Sequence, residues 1–150
     1  MKKWIAQTIA TFFYLGYAPL APGTVGTFGA IALFYLLSNF STLVYSLFFL
    51  GFTIISIWAS GEASVIFGKT DPGQVVVDEV CGYLVTMLFI PPSLRNIILG
   101  FFFFRFFDIV KLPPARKVEC LPGGFGIVID DVIVGIYSNI ILQVVIRLFE

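Results

Sequence analysis

Long apolar runs, broken by short polar or proline–glycine turns, extend along the whole chain. After Lys2 and Lys3 no charged residue appears before Glu62. One membrane crossing takes about 20 residues, so this stretch has room for two or three. Within it, residues 25–40 and 43–60 read as helices joined by a polar turn around Phe40, a helical hairpin. Asp71-Pro72 is a good helix start with proline in the first turn. It predicts a helix over residues 73–90, stopped by Pro91-Pro92. Ser93 is placed to cap the next helix, residues 94–110, which Pro113-Pro114 ends. Pro122-Gly123-Gly124-Phe125-Gly126 then leads into a last helix over about 127–149, with Asp130 and Asp131 in its first turn. Strands compete, because Val and Ile are frequent. The runs are long, however, an open sheet cannot leave edges unpaired in lipid, and the alternation of a membrane barrel is absent.

The N-terminus reads in two ways. Lys2 and Lys3 before the apolar residues 4–14 resemble a signal peptide, with 18–21 as a cleavage site. Gln7, Thr8 and Thr11 interrupt that apolar core and favour a retained helix, buried or lying at the interface. The expected fold is all-α: a polytopic membrane bundle of four to five membrane helices plus a short N-terminal helix, one domain over residues 1–150.

Composition supports lipid as the solvent. Of the 150 residues, 59% are apolar and 12% charged, against about 45–50% and 25% in soluble domains. A chain of 16.6 kDa has too little interior to hide that much apolar side chain. The formal net charge of +0 leaves no basic footprint, so nucleic acid is not an expected partner. The absence of histidine removes the commonest general base and every histidine-dependent metal site. Cys81 and Cys120 are too few for a disulfide scaffold or a four-thiolate zinc site.

The few charges cluster. One group holds Glu62, Lys69, Asp71, Asp78 and Glu79, and a second runs from Arg105 through Asp108, Lys111, Arg116 and Lys117 to Glu119. The doublet Asp130–Asp131 is the third. Charge is expensive in a bilayer, so grouped charges in such a chain mark function. Folding the helices as hairpins puts the turns at 38–42 and 91–93 on one side. The segments at 21–27, 62–79 and 111–126 and the doublet fall on the other. Lysine bias makes that charged side cytoplasmic.

Five carboxylates on one face, Asp78, Glu79, Asp108, Asp130 and Asp131, would repel one another unless a cation joined them. Oxygen ligands without histidine select a hard ion such as Mg²⁺ over zinc. Arg105, Lys111 and Arg116 supply positive groups for phosphate, arginine being suited to bidentate contacts. Arg105 and Asp108 share a helical face, with Lys111 three residues further on. Gly123, Gly124 and Gly126 permit close backbone approach to an anion just before a helix N-terminus. Thr24, in a second glycine-bearing helix start, is a natural cap, and Thr24 or Thr27 could also touch phosphate. Absence excludes several phosphatase routes: no histidine for a phosphohistidine, no Asp-x-Asp-x-Thr, no P-loop. What remains is metal-assisted attack by water. The competing reading is a small transporter or channel whose acids are spread through the membrane's depth.

At these residues a family resemblance becomes specific. Its blocks are Gly16-Tyr17-Ala18-Pro19-Leu20-Ala21-Pro22-Gly23-Thr24-Val25-Gly26, Val77-Asp78-Glu79-Val80-Cys81-Gly82, Phe104-Arg105-Phe106-Phe107-Asp108-Ile109-Val110-Lys111 and Pro122-Gly123-Gly124-Phe125-Gly126-Ile127-Val128-Ile129-Asp130-Asp131. In order and spacing they resemble the signature blocks of phosphatidylglycerophosphatase A. The resemblance implies a Mg²⁺-dependent phosphatase of the bacterial cytoplasmic membrane that converts phosphatidylglycerophosphate to phosphatidylglycerol. Carried over by motif, Asp78, Glu79, Arg105, Asp108, Lys111, Asp130 and Asp131 would form its active site. Leu112 departs from the pattern, which usually has proline there.

Overall fold

The computed structural model describes residues 2–149, and among them every regular element is helical. The helices are α1 (Lys2–Ala10), α2 (Pro22–Leu37), α3 (Thr42–Phe67), α4 (Val77–Thr86), α5 (Leu94–Val110), α6 (Ala115–Val118) and α7 (Gly124–Leu148). A single 3-10 turn, Leu15–Tyr17, precedes α2. The central element is α4. It is enclosed by α2, α3, α5 and α7, and residues 80–87 are all buried. Phe34, Tyr83, Leu84, Phe104, Val134 and Leu142 form the heart of the core. Outside it, α3 turns Leu43, Leu47, Leu50, Ile54 and Val65 outward, an apolar face that suits acyl chains and not water.

Among the described residues, two helices are long and apolar enough to cross a membrane, α3 and α7. The expected four to five membrane helices are therefore corrected. With 16 and 17 residues, α2 and α5 fall short of the roughly 20 that a crossing needs. The segment expected as one helix over 73–90 is cut at both ends. At its start, Val75–Val77 is a buried β-branched run, and Val76 donates its N–H to the Ala10 carbonyl at 2.9 Å. Docking on α1 thus outcompetes the Asp71-Pro72 helix start, and α4 begins at Val77. At its end, the Asn139 amide donates to the carbonyls of Thr86 and Leu88, both at 2.8 Å, and so caps α4 before the prolines are reached.

Other boundaries follow local chemistry. Ser93 caps α5 by accepting the Asn96 N–H, as expected. Thr24 does not cap α2: the N-cap is Ala21, in left-handed backbone, and Pro22 opens the helix. At the C-terminal side, α7 begins at Gly124, not near 127, so Asp130 and Asp131 stand in its second turn. The N-terminal segment forms α1, packed on α3 through Ala6 and Ala10. The turns near 38–42 and 91–93 meet around one recess, lined among others by Ser38, Phe40, Pro91 and Pro92. The charged segments gather at the opposite end.

Candidate active site

Close packing of α4 on α7 builds the site. A side chain at Gly135 would collide with the Gly82 carbonyl, and one at Gly82 would press on Phe104 and the Asp131 carbonyl. These two glycines bring the backbones together, as small residues do between helices in lipid. The consequence lies about one turn away. Asp78 and Glu79, in the first turn of α4, come to face Asp131 on α7, and one carboxylate oxygen from each lies within 4.8 Å of the others. Asp131 is buried and the other two are half-buried. Oδ1 of Asp78 and Oε2 of Glu79 are buried without a hydrogen-bond partner. Unpartnered anionic oxygens at this spacing are costly alone and suit a cation held by several oxygen ligands.

Positive groups flank the three acids. Arg105 on α5 pairs with Asp108 at 2.8 Å and approaches Glu79 at 3.9 Å through the same nitrogen. Gly23, in the first turn of α2, has no room for a side chain because the Glu79 carboxylate and Arg105 occupy that space. Lys111 does not continue the Arg105–Asp108 face. It ends α5 in left-handed backbone and swings to Asp130 at 2.7 Å and Glu119 at 3.2 Å. Burial alone would lower its pKa. The Asp130 hydrogen bond and the charges of Asp130, Asp131 and Glu119 outweigh that, so the ammonium is held above its ordinary value. Asp130 is 3% exposed, and its Oδ1 has no partner.

Beside this cluster lies a cavity of about 360 Å³, lined by Ser64, Thr70, Asp71, Asp78, Lys111, Glu119, Cys120 and Asp130 and by the backbone turn at 121–123. Asp71 at its rim has a carboxyl raised above its ordinary value, chiefly by desolvation; Lys111 opposes this, while Glu119 and Asp108 add to it. Asp71 and Glu119 escape a reading by motif. Their only signal in the sequence is membership of the charge clusters.

Not every expected residue converges. Arg116, on the short α6, is exposed, does not line the cavity and forms no ion pair among the described residues. Thr24 is half-buried near Gly23, without a hydrogen bond from its hydroxyl among the described residues. Gly123 adopts φ +67° at the cavity wall, a conformation that favours glycine. Gly124 serves packing: a Cβ there would strike the Ile57 carbonyl and the Gly61 nitrogen of α3. Cys81 is buried, as packing predicts, and Cys120 is exposed.

The described acids and their cations group at one end of the bundle, where a transporter would spread them through its depth. Two helices long and apolar enough to cross a membrane, with acids and cations gathered at one end, define the class: a helical membrane-type bundle with a cluster of carboxylates. Comparison with known proteins narrows that class. Over residues 8–146 the chain matches phosphatidylglycerophosphatase A, and it belongs to that family. It is accordingly a phosphoric monoester hydrolase of phospholipid metabolism. It is 41% identical to a putative phosphatidylinositol-3-phosphatase of Bacteroides thetaiotaomicron, with 96% of each chain covered. It is 32% identical to phosphatidylglycerophosphatase A of Escherichia coli K12, covering 89% of this chain and 79% of that one. With the Haemophilus influenzae phosphatidylglycerophosphatase A it shares 35% identity over 89% of this chain and 84% of that one. No solved structure matches it.

Proposed function

We propose that the protein hydrolyses the terminal phosphomonoester of phosphatidylglycerophosphate, releasing phosphatidylglycerol and inorganic phosphate at the cytoplasmic face of a bacterial inner membrane. The observation that carries this reading is the convergence of Asp78, Glu79 and Asp131 within 4.8 Å, beside Arg105 and Lys111, in a chain of this family. A hard divalent cation such as Mg²⁺, when bound by these carboxylates, would neutralise phosphate charge and favour ionisation of a water molecule. Arg105, oriented by Asp108, is the phosphate-binding fork. Lys111, held by Asp130 and Glu119, adds a point charge at the cavity wall. One carboxylate of the acidic group accepts the proton of the attacking water. The new P–O bond forms from that water, the bond to the glycerol oxygen breaks, and the proton returns to the leaving alkoxide.

The test is phosphate release by the purified protein in mixed micelles, with and without EDTA. Turnover of phosphatidylglycerophosphate that stops with EDTA and resumes with Mg²⁺ is the expected result. Hydrolysis unchanged by EDTA overturns the cation assignment. The name of the Bacteroides relative makes phosphatidylinositol 3-phosphate the comparison substrate, and faster turnover of it would reassign the headgroup.

A further inference from the structure

We propose that an apolar track between α5 and α7 seats one acyl chain of the lipid substrate. The proposal rests on the lipid-phosphatase reading above and concerns how that site selects a membrane-embedded substrate. The track consists of two recesses that share the walls Phe107 and Ile141. The upper one, about 330 Å³ and open to the outside, is bordered by Leu112, Pro113 and Tyr137. The lower one, about 440 Å³, runs past Phe102, Phe103 and Phe106. The Tyr137 hydroxyl donates to the Pro113 carbonyl at 3.1 Å and is therefore not a free donor in the upper wall.

Two features specify the occupant. The first is continuity with the charged site: Leu112 follows Lys111, which lines the polar cavity and pairs with buried Asp130. A ligand with its phosphate near Lys111 meets the apolar track one residue later. The second is length. From residue 102 to 110, where α5 ends, the track follows about 12 Å of helix at about 1.5 Å per residue. That is a little under half of a hydrocarbon core of roughly 30 Å, most of the depth of one leaflet. A second copy of the chain fits less well. Helices associating in lipid favour small residues at the seam, whereas four phenylalanines line the lower recess.

Ile141→Trp fills the shared wall, and Ile140→Trp, at a more exposed position of the upper recess, repeats the test with less demand on the core. Both are assayed on long-chain phosphatidylglycerophosphate and on its deacylated, water-soluble headgroup. Expected is a rise of about tenfold in KM for the diacyl lipid, equivalent to losing the burial of roughly two methylenes. kcat and turnover of the soluble headgroup stay at wild-type values. Equal losses on both substrates, or no change on either with both variants, overturn the track. A wild-type protein inactive on every phospholipid would instead overturn the lipid-phosphatase reading. For variants that fail to fold, wild-type protein is labelled with phosphatidylglycerophosphate carrying a photoreactive acyl chain. Labelling confined to α5 and α7 and displaced by unlabelled substrate, but not by phosphatidylcholine, supports the seat. Labelling spread equally over the outer face of α3, or displaced by phosphatidylcholine, refutes it, as does a dimer in detergent that shields these positions from label.

Discussion

In the proposed reaction Asp131 and Asp78 hold the cation, and each can lose its charge with little change in shape. Asp78→Asn and Asp131→Asn are expected to lower phosphate release by about 100-fold or more while leaving helical circular dichroism and the thermal midpoint near wild type, as befits lost charge stabilisation in a preorganised site. A wild-type rate in both would remove them from the site. Arg105 tests geometry more than charge. Arg105→Lys keeps the positive group but loses the fork, and a drop of about 10- to 100-fold is expected from the weakening of one charge-assisted contact. Lys111 belongs to stability as well. Its removal leaves Asp130, 3% exposed, without its partner, and Lys111→Met is expected to cost about 3 kcal/mol by chemical denaturation. The sign of its pKa shift adds a check. A group raised in the folded state contributes fully below its unfolded value and loses that contribution only as pH climbs through the folded one. The Lys111 ammonium should therefore stay charged through neutral pH and its contribution fall away in strong alkali, a fall that Lys111→Met abolishes.

Between elements, the decisive contact is the glycine pair that lets α4 lie on α7. Gly135→Ala forces a Cβ into the Gly82 carbonyl. Overpacking of this kind costs about 1–3 kcal/mol. It should also cut activity out of proportion to the stability lost, because it separates Asp131 from Asp78 and Glu79. A variant that is destabilised yet fully active in its folded fraction would show that the acids need no such closeness. The helix ends tell a related story. Ser93, Pro22 and the polar turn at 38–42 announce themselves locally, and those boundaries were legible within a few residues. The ends of α4 were not. Its start depends on Val76 bonding to Ala10 and its end on Asn139 reaching Thr86 and Leu88, partners distant in the chain that no local pattern records.

Across the molecule, apolar surface and charge are segregated. An apolar exterior covers most of the bundle, and the acids and their cations collect at one end, opposite the turns at 38–42 and 91–93. That segregation was readable beforehand, since hairpin counting and clustered charges depend only on order along the chain. So was the convergence of most of the candidate acids and cations, because charged groups in a low-charge chain cluster where the apolar face ends. The number of full-length helices was not, because apolar runs look alike whether they cross a bilayer or pack around a buried helix. Composition and spacing settled the helical class and the separation of charge, both properties of residues taken in order. Folding in three dimensions selected which acids meet, turned Lys111 toward Asp130, left Arg116 outside and brought Asp71 and Glu119 to the cavity. Those outcomes depend on distances between segments remote in sequence, set by how closely two helices can approach.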